Sequence, residues 1–193
     1  MLEQGQRWLP QARRAAFEIY RKEATRRWVT ARGGSMRPLI APGTWMLVDF
    51  GAASVDVGDI VLFPINDLVV AHRLVAQLPE AAGLVVKGDA EPYRDRPLDQ
   101  SDLLGVVRAL RRGPAGPITT WGCAGRSARM IAQLSRWSGR GAALARRATT
   151  FLPDPLRRAA LRAIPPLARV AAQVLFAPFH WAARIQIVRI PTH

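Results

Sequence analysis

Leu68-Val69-Val70-Ala71-His72-Arg73-Leu74-Val75, preceded by Asn66-Asp67 and by Asp59-Ile60-Val61-Leu62-Phe63-Pro64, is the stretch that decides the fold. Both runs are short and rich in β-branched and large apolar residues, and turn formers bound them on each side. Working outward, Trp45 to Phe50 is a third run entered through Pro42-Gly43, and Leu84 to Lys87 and Leu103 to Arg108 complete the set. Five or six short strands joined by tight turns within residues 32–112 predict a mainly β core, a small antiparallel sheet or barrel. In a regular strand His72 and Arg73 point to opposite faces, so one of them faces the interior or a cleft.

The flanks read differently. Residues 8–30 have Leu9, Ala12, Ala16, Tyr20 and Ala24 on one side and arginines on the other, the pattern of a basic amphipathic helix. The first domain segment is therefore residues 1–31, an N-terminal helix, and the second is the β domain, 32–112. Gly113-Pro114-Ala115-Gly116-Pro117 is rich in turn formers and opens a third, basic helical region over 113–193. Within it, residues 126–150 carry Met130, Ile131, Leu134 and Trp137 at helical spacing until Gly139 and Gly141 break the run. Residues 155–164 and 167–183 are further helical candidates around Pro165-Pro166.

Charge follows the same division. The chain of 193 residues has a net charge of +14. Residues 1–31 hold seven basic and three acidic side chains, residues 32–112 nine and ten, and residues 113–193 twelve and one. A balanced centre thus lies between basic flanks, which would be drawn to anionic lipid headgroups or nucleic acid. No nucleic-acid motif accompanies the basic helices, so a nucleic-acid partner is the weaker expectation. The single Cys123 excludes an internal disulfide, and three scattered histidines predict no metal site and no cofactor. Residues 1–31 lack an apolar signal-peptide core, and Val170 to Ala183, the longest uncharged helical stretch, is too short to span a bilayer. The expected location is cytoplasmic or peripheral to a membrane.

Chemistry concentrates in the β domain. Gly33-Gly34-Ser35-Met36-Arg37-Pro38 places a serine on a backbone loosened by glycine, and Pro38 biases Arg37 away from helix, so this segment is expected to be extended. A serine hydroxyl needs a base to take its proton, and the base needs an orienting group. The domain offers Ser35, His72 and either Asp89 or Asp95 for those roles, and spacing alone does not bring them together. The competing reading has His72 facing solvent from an ordinary strand and the aspartates serving as turn formers.

Ser35-Met36-Arg37-Pro38 resembles the Ser-Met-x-Pro nucleophile motif of type I signal peptidases, and Gly58-Asp59-Ile60-Val61 resembles the strand entry that follows it. Ala71-His72-Arg73-Leu74, Lys87-Gly88-Asp89 and Asp95-Arg96 are similar to the motifs of the endoplasmic-reticulum and archaeal type, which uses histidine where bacterial members use lysine. The resemblance covers roughly residues 32–108 and implies the fold shared with LexA-like proteins. It implies Ser35 as nucleophile, His72 as base, Asp95 as the orienting carboxylate, and Asp89, Gly34, Met36 and Lys87 as supporting residues. It also implies small substrate residues near the cut. Many members carry a hydroxyl side chain two positions before the nucleophile, where this chain has Gly33. A Ser–Lys dyad would need Lys22, in the N-terminal helix, or Lys87, in the Lys-Gly-Asp box. The implied activity is removal of a signal or leader segment from a precursor peptide or protein. A peptide-binding member without turnover, and a membrane-surface or nucleic-acid binder acting through the C-terminal helices, are the alternatives.

Overall fold

The computed structural model describes residues 14–66, 68–78, 83–92, 94–95, 97–120, 122–151, 153–163, 166–167 and 170. Among them are eight strands: β1 (Arg26–Thr30), β2 (Thr44–Asp49), β3 (Ile60–Ile65), β4 (Leu68–Leu78), β5 (Gly83–Lys87), β6 (Leu98–Asp99), β7 (Gly105–Arg112) and β8 (Ile118–Thr119). They form one sheet in the order β1-β2-β7-β3-β4-β5-β6, with β8 paired to β7, and every pairing is antiparallel. The expected fold class, a mainly β core with flanking helices, is the one observed.

β3 shows why these residues make this sheet. Its Ile60, Val61, Leu62 and Phe63 are all buried, so both faces of the sheet are covered at this strand. Ile60 and Leu62 join Met36, Ile40, Met46, Val48 and Leu110 in one core; Val61 and Phe63 join Val55, Leu74, Leu84, Val86 and Val106 in the other. Burying each such side chain stabilises the fold by about 1.5–3 kcal/mol. Asn66, at φ 52°, starts the tight connection that pairs Ile65 with Leu68 and sets the β3–β4 register.

The structure corrects three expectations, two of them about helices. Helix α1, described over residues 14–22, does not continue to residue 30. Thr25 N–H donates to the Tyr20 carbonyl at 3.1 Å and Ala24 N–H to that of Arg21 at 3.1 Å, with Ala24 at φ 49°. This is a Schellman stop with alanine in the place usually held by glycine. The freed Arg26–Thr30 segment then pairs with β2, so the basic helix gives way to an edge strand. Phe17 and Tyr20 hold α1 on the core by packing against Phe50, at centroid distances of 5.6 and 5.4 Å.

Helix α2 (Gly125–Ala148) runs unbroken through Gly139 and Gly141. Of the apolar residues at helical spacing in it, Ile131 is buried and Trp137 is 72% exposed. The third correction concerns Ser35: residues 35–39 form turns, and Arg37 N–H to Gly34 carbonyl and Ile40 N–H to Met36 carbonyl bonds curl the segment that was expected to be extended. Residues 154–163 are helical and form α3. Residues 8–13 and most of the 167–183 segment lie outside the described residues.

Candidate active site

Each member of the site is fixed by a different local device. The Ser35 turn is pinned by its neighbours, because Met36 and Ile40 are plugs in the first core. Its carbonyl accepts the Ala90 N–H at 2.7 Å, which ties the turn to the Gly88-Asp89-Ala90 bend after β5. His72 is set by strand register opposite Val61, and its ring meets Phe63 edge-on at 5.8 Å. Asp95 donates its N–H to the Val86 carbonyl at 3.0 Å, so its backbone runs along β5 ahead of β6.

These devices converge. Ser35 Oγ lies 3.0 Å from His72 Nε2, and His72 Nδ1 lies 2.6 Å from Asp95 Oδ2. An ionised carboxylate can only accept, so Nδ1 carries the proton it donates to Asp95. Nε2 is then the acceptor for the Ser35 hydroxyl. The His72 side chain is 7% exposed and that of Asp95 is 25% exposed, so the assembly sits at the protein surface with the imidazole covered.

Asp89 belongs to a different assembly. Arg73, fully buried, gives Nε at 3.0 Å and Nη2 at 2.8 Å to the two Asp89 oxygens, and Nη1 to the carbonyls of Gly58 at 2.7 Å and Gly122 at 2.6 Å. One guanidinium thereby joins β4, the turn before β3, the bend that holds Ser35, and the turn leading into α2. Gly58 must lack a side chain: its φ is +110°, and a Cβ there would lie 2.6 Å from the α2 backbone at Ala128. Gly88 is equally constrained, since a Cβ would meet the Ser35 carbonyl at 2.8 Å and His72 Nε2 at 3.1 Å. Gly58 and Gly88 stand in the sequence only as members of the Gly58–Val61 strand entry and the Lys87-Gly88-Asp89 box; their site-shaping role comes from a close approach that is visible only in three dimensions.

Lys87 pairs in register with Arg73 and is buried under α2. Its Nζ donates to the Gly88 carbonyl at 3.2 Å and to Ser135 Oγ and Ser138 Oγ at 3.1 and 3.3 Å. Burial pulls its ammonium down to about 8. Gly34 sits beside the Arg37 side chain, and at Gly33 a Cβ would meet nothing within 4 Å. Cys123 is no competing nucleophile: burial pushes its thiol up to about 12, far from the reactive thiolate. Among the described residues no group of three His, Cys, Asp or Glu side chains is placed to hold a metal ion, and no helix is long and apolar enough to cross a membrane.

The family model described as Peptidase S24-like matches residues 7–108, a span that takes in α1 and the chain as far as the middle of β7. No curated protein and no solved structure matches the chain. That match takes in more than half of the chain, including Ser35, His72, Asp95 and every strand except β8 and the end of β7. The chain therefore belongs to the Peptidase S24-like family of serine peptidases.

Proposed function

We propose that this protein is a serine endopeptidase that removes a signal or leader segment from a precursor, with Ser35 as nucleophile, His72 as base and Asp95 as its orienting carboxylate. The observation that carries the reading is the hydrogen-bonded sequence Ser35 Oγ to His72 Nε2 and His72 Nδ1 to Asp95. In the first step Ser35 Oγ attacks the scissile carbonyl while its proton passes to Nε2. The imidazolium that forms is stabilised by Asp95 and delivers the proton to the leaving amine, giving an acyl-enzyme. Water then repeats the sequence on the ester and regenerates the hydroxyl. The Ser35 backbone N–H is the natural donor to the developing oxyanion.

Histidine is favoured over lysine as the base by where the two side chains go. His72 reaches the serine, whereas Lys87 Nζ is engaged by α2 serines and a backbone carbonyl. The substrate class, a leader or signal segment, rests on the motif resemblance.

A second reading, peptide binding without turnover, draws on Gly33, which leaves the site without a hydroxyl two positions before Ser35. Labelling by a serine-reactive acylating probe separates the two. Wild type should be labelled, Ser35→Ala should not, and His72→Ala should be slowed by about 100–10,000-fold. Unlabelled but well-folded wild type would leave peptide binding as the function; labelling that survives His72→Ala would remove histidine as the base.

A further inference from the structure

Helix α2 buries one side, and among the described residues the other side has no partner. Ala128, Ala132 and Ser135 pack against the sheet, and Lys87 reaches up to the same side. On the opposite side Met130, Trp137 and Leu144 recur every seven residues, nearly two full turns, and therefore form one longitudinal stripe. They are 40%, 72% and 71% exposed. Arg126, Arg140 and Arg147 follow a column beside that stripe, at the same seven-residue spacing or its multiple, and all three are exposed.

The charge around the stripe selects its occupant. From Leu103 to Pro153 the sequence contains nine arginines and no Asp or Glu. A second copy docked through the same face would set arginine against arginine with no acid to pair with. A nucleic-acid backbone would meet the arginines but leave an exposed Trp and Leu in water. An anionic bilayer satisfies both halves, taking the apolar stripe at the headgroup boundary and pairing arginines with phosphates. Helix α3 extends this character with exposed Leu156 among Arg157 and Arg158. We propose that α2 lies in the plane of an anionic lipid surface, with Met130, Trp137 and Leu144 inserted and the flanking arginines on the headgroups. The protein is thereby a peripheral membrane protein docked through the helix on the Arg73 side of β4, independently of the chemistry at Ser35.

Co-sedimentation of the full chain with mixed phosphatidylcholine–phosphatidylglycerol vesicles and with pure phosphatidylcholine vesicles tests this. Wild type should pellet with the mixed vesicles only, and less so as salt rises. Trp137→Ser with Leu144→Ser should weaken binding by at least about tenfold through lost apolar burial. Arg140→Glu with Arg147→Glu should do the same, since each arginine contributes about fivefold. All six positions of the face are on the surface, so thermal unfolding of both variants should match wild type. The proposal is overturned if wild type ignores the mixed vesicles, or if both double variants bind them as wild type does. It is also overturned if duplex DNA is bound instead, or if sedimentation velocity shows a dimer that Trp137→Ser and Leu144→Ser dissolve while vesicles are not bound.

Discussion

His72 and Arg73 stand side by side in β4, and each binds an aspartate, but the two pairs are different objects. Arg73–Asp89 is sealed, at 0% and 1% side-chain exposure, and the guanidinium is spent on four acceptor contacts that join separate loops. His72–Asp95 has a single contact of 2.6 Å, an aspartate 25% exposed, and a second ring nitrogen turned to a serine. A buried cation bonded through all three of its nitrogens can only hold a framework. A base with one nitrogen oriented and the other facing a hydroxyl can move a proton. Strand alternation, one residue apart, puts the two on opposite faces and keeps the rigid pair apart from the one proposed to be reactive.

The largest expected effect comes from breaking the reactive pair. Asp95→Asn offers His72 an amide that can donate to Nδ1 and so favours the tautomer whose Nε2 carries the proton. Acylation of Ser35 should then fall by about 10,000-fold with the thermal midpoint unchanged. Rates of probe labelling alongside calorimetry read both quantities. Asp89→Ala should behave in the opposite sense. It strands a buried guanidinium, so the fold should lose about 3–5 kcal/mol and the midpoint should drop on the order of 10 °C. If Asp89→Ala silenced labelling at an unchanged midpoint while Asp95→Asn merely destabilised, the two aspartates would have to exchange roles.

Between these aspartates spacing does not decide, and only the motif resemblance favours Asp95; the reason is physical. Asp89 and Asp95 both follow β5 within a few residues, and which one meets His72 depends on the bend at Gly88 and on the Asp95 to Val86 backbone bond. Neither is a periodicity. The strands themselves were legible because Ile60 to Phe63 and Leu68 to Val75 have β-prone composition between turn formers. Ser35 and His72 were legible as chemistry but not as neighbours. The N-terminal helix was read too long because Ala24, not glycine, takes the left-handed stop, and because Arg26 and Arg27 extend the polar helical pattern into what is an edge strand. Gly139 and Gly141 cost α2 about 1 kcal/mol each in propensity. They do not break it, since the helix is anchored by Ala128, Ala132 and Ser135 ahead of them.

A finer contrast lies between Arg73 and its cross-strand neighbour Lys87. Both are buried cations on the α2 side, but Arg73 is hydrogen-bonded to a carboxylate, whereas the bonds described for Lys87 go to neutral acceptors and the charges of Asp89 and Glu91 offset its desolvation only in part. Desolvation therefore lowers the Lys87 ammonium from 10.5 to about 8, a cost of about 3 kcal/mol while it stays charged. Below pH 8 folded and unfolded chains both hold this proton, and the folded state bears the full cost. Between pH 8 and 10.5 the folded chain releases it first, the unfolded chain binds more protons, and stability from this group rises with pH. Lys87→Met removes the group, so the stability of wild type relative to that variant should climb by up to about 3 kcal/mol across this window. Denaturant unfolding at several pH values measures it. A flat difference would mean that Lys87 is solvated in the folded protein.

The smallest expected effect sharpens the reactive side of the comparison. If Ser35 and His72 are the machinery proposed, the hydroxyl side chain that could serve as a second oxyanion donor two positions before the nucleophile is missing. Gly33 stands two residues before the nucleophile, its φ lies outside the left-handed region, and a Cβ there would touch nothing within 4 Å. Gly33→Ser should therefore fold without strain and bring a hydroxyl to the side of the nucleophile turn. A well-placed oxyanion donor contributes about 100–1,000-fold in rate, but a hydroxyl on an open, unpacked position gives up most of that to rotamer freedom. A gain of roughly tenfold in acylation rate is the expected outcome. It should disappear in Ser35→Ala and be equally large, as a ratio, in the weakened Asp95→Asn background, because the donor acts on the oxygen of the attacked carbonyl and not on the imidazole. A gain that depended on Asp95 would instead mean that the new hydroxyl bonds His72, and Gly33 would then be a feature of the base rather than a gap in the oxyanion site.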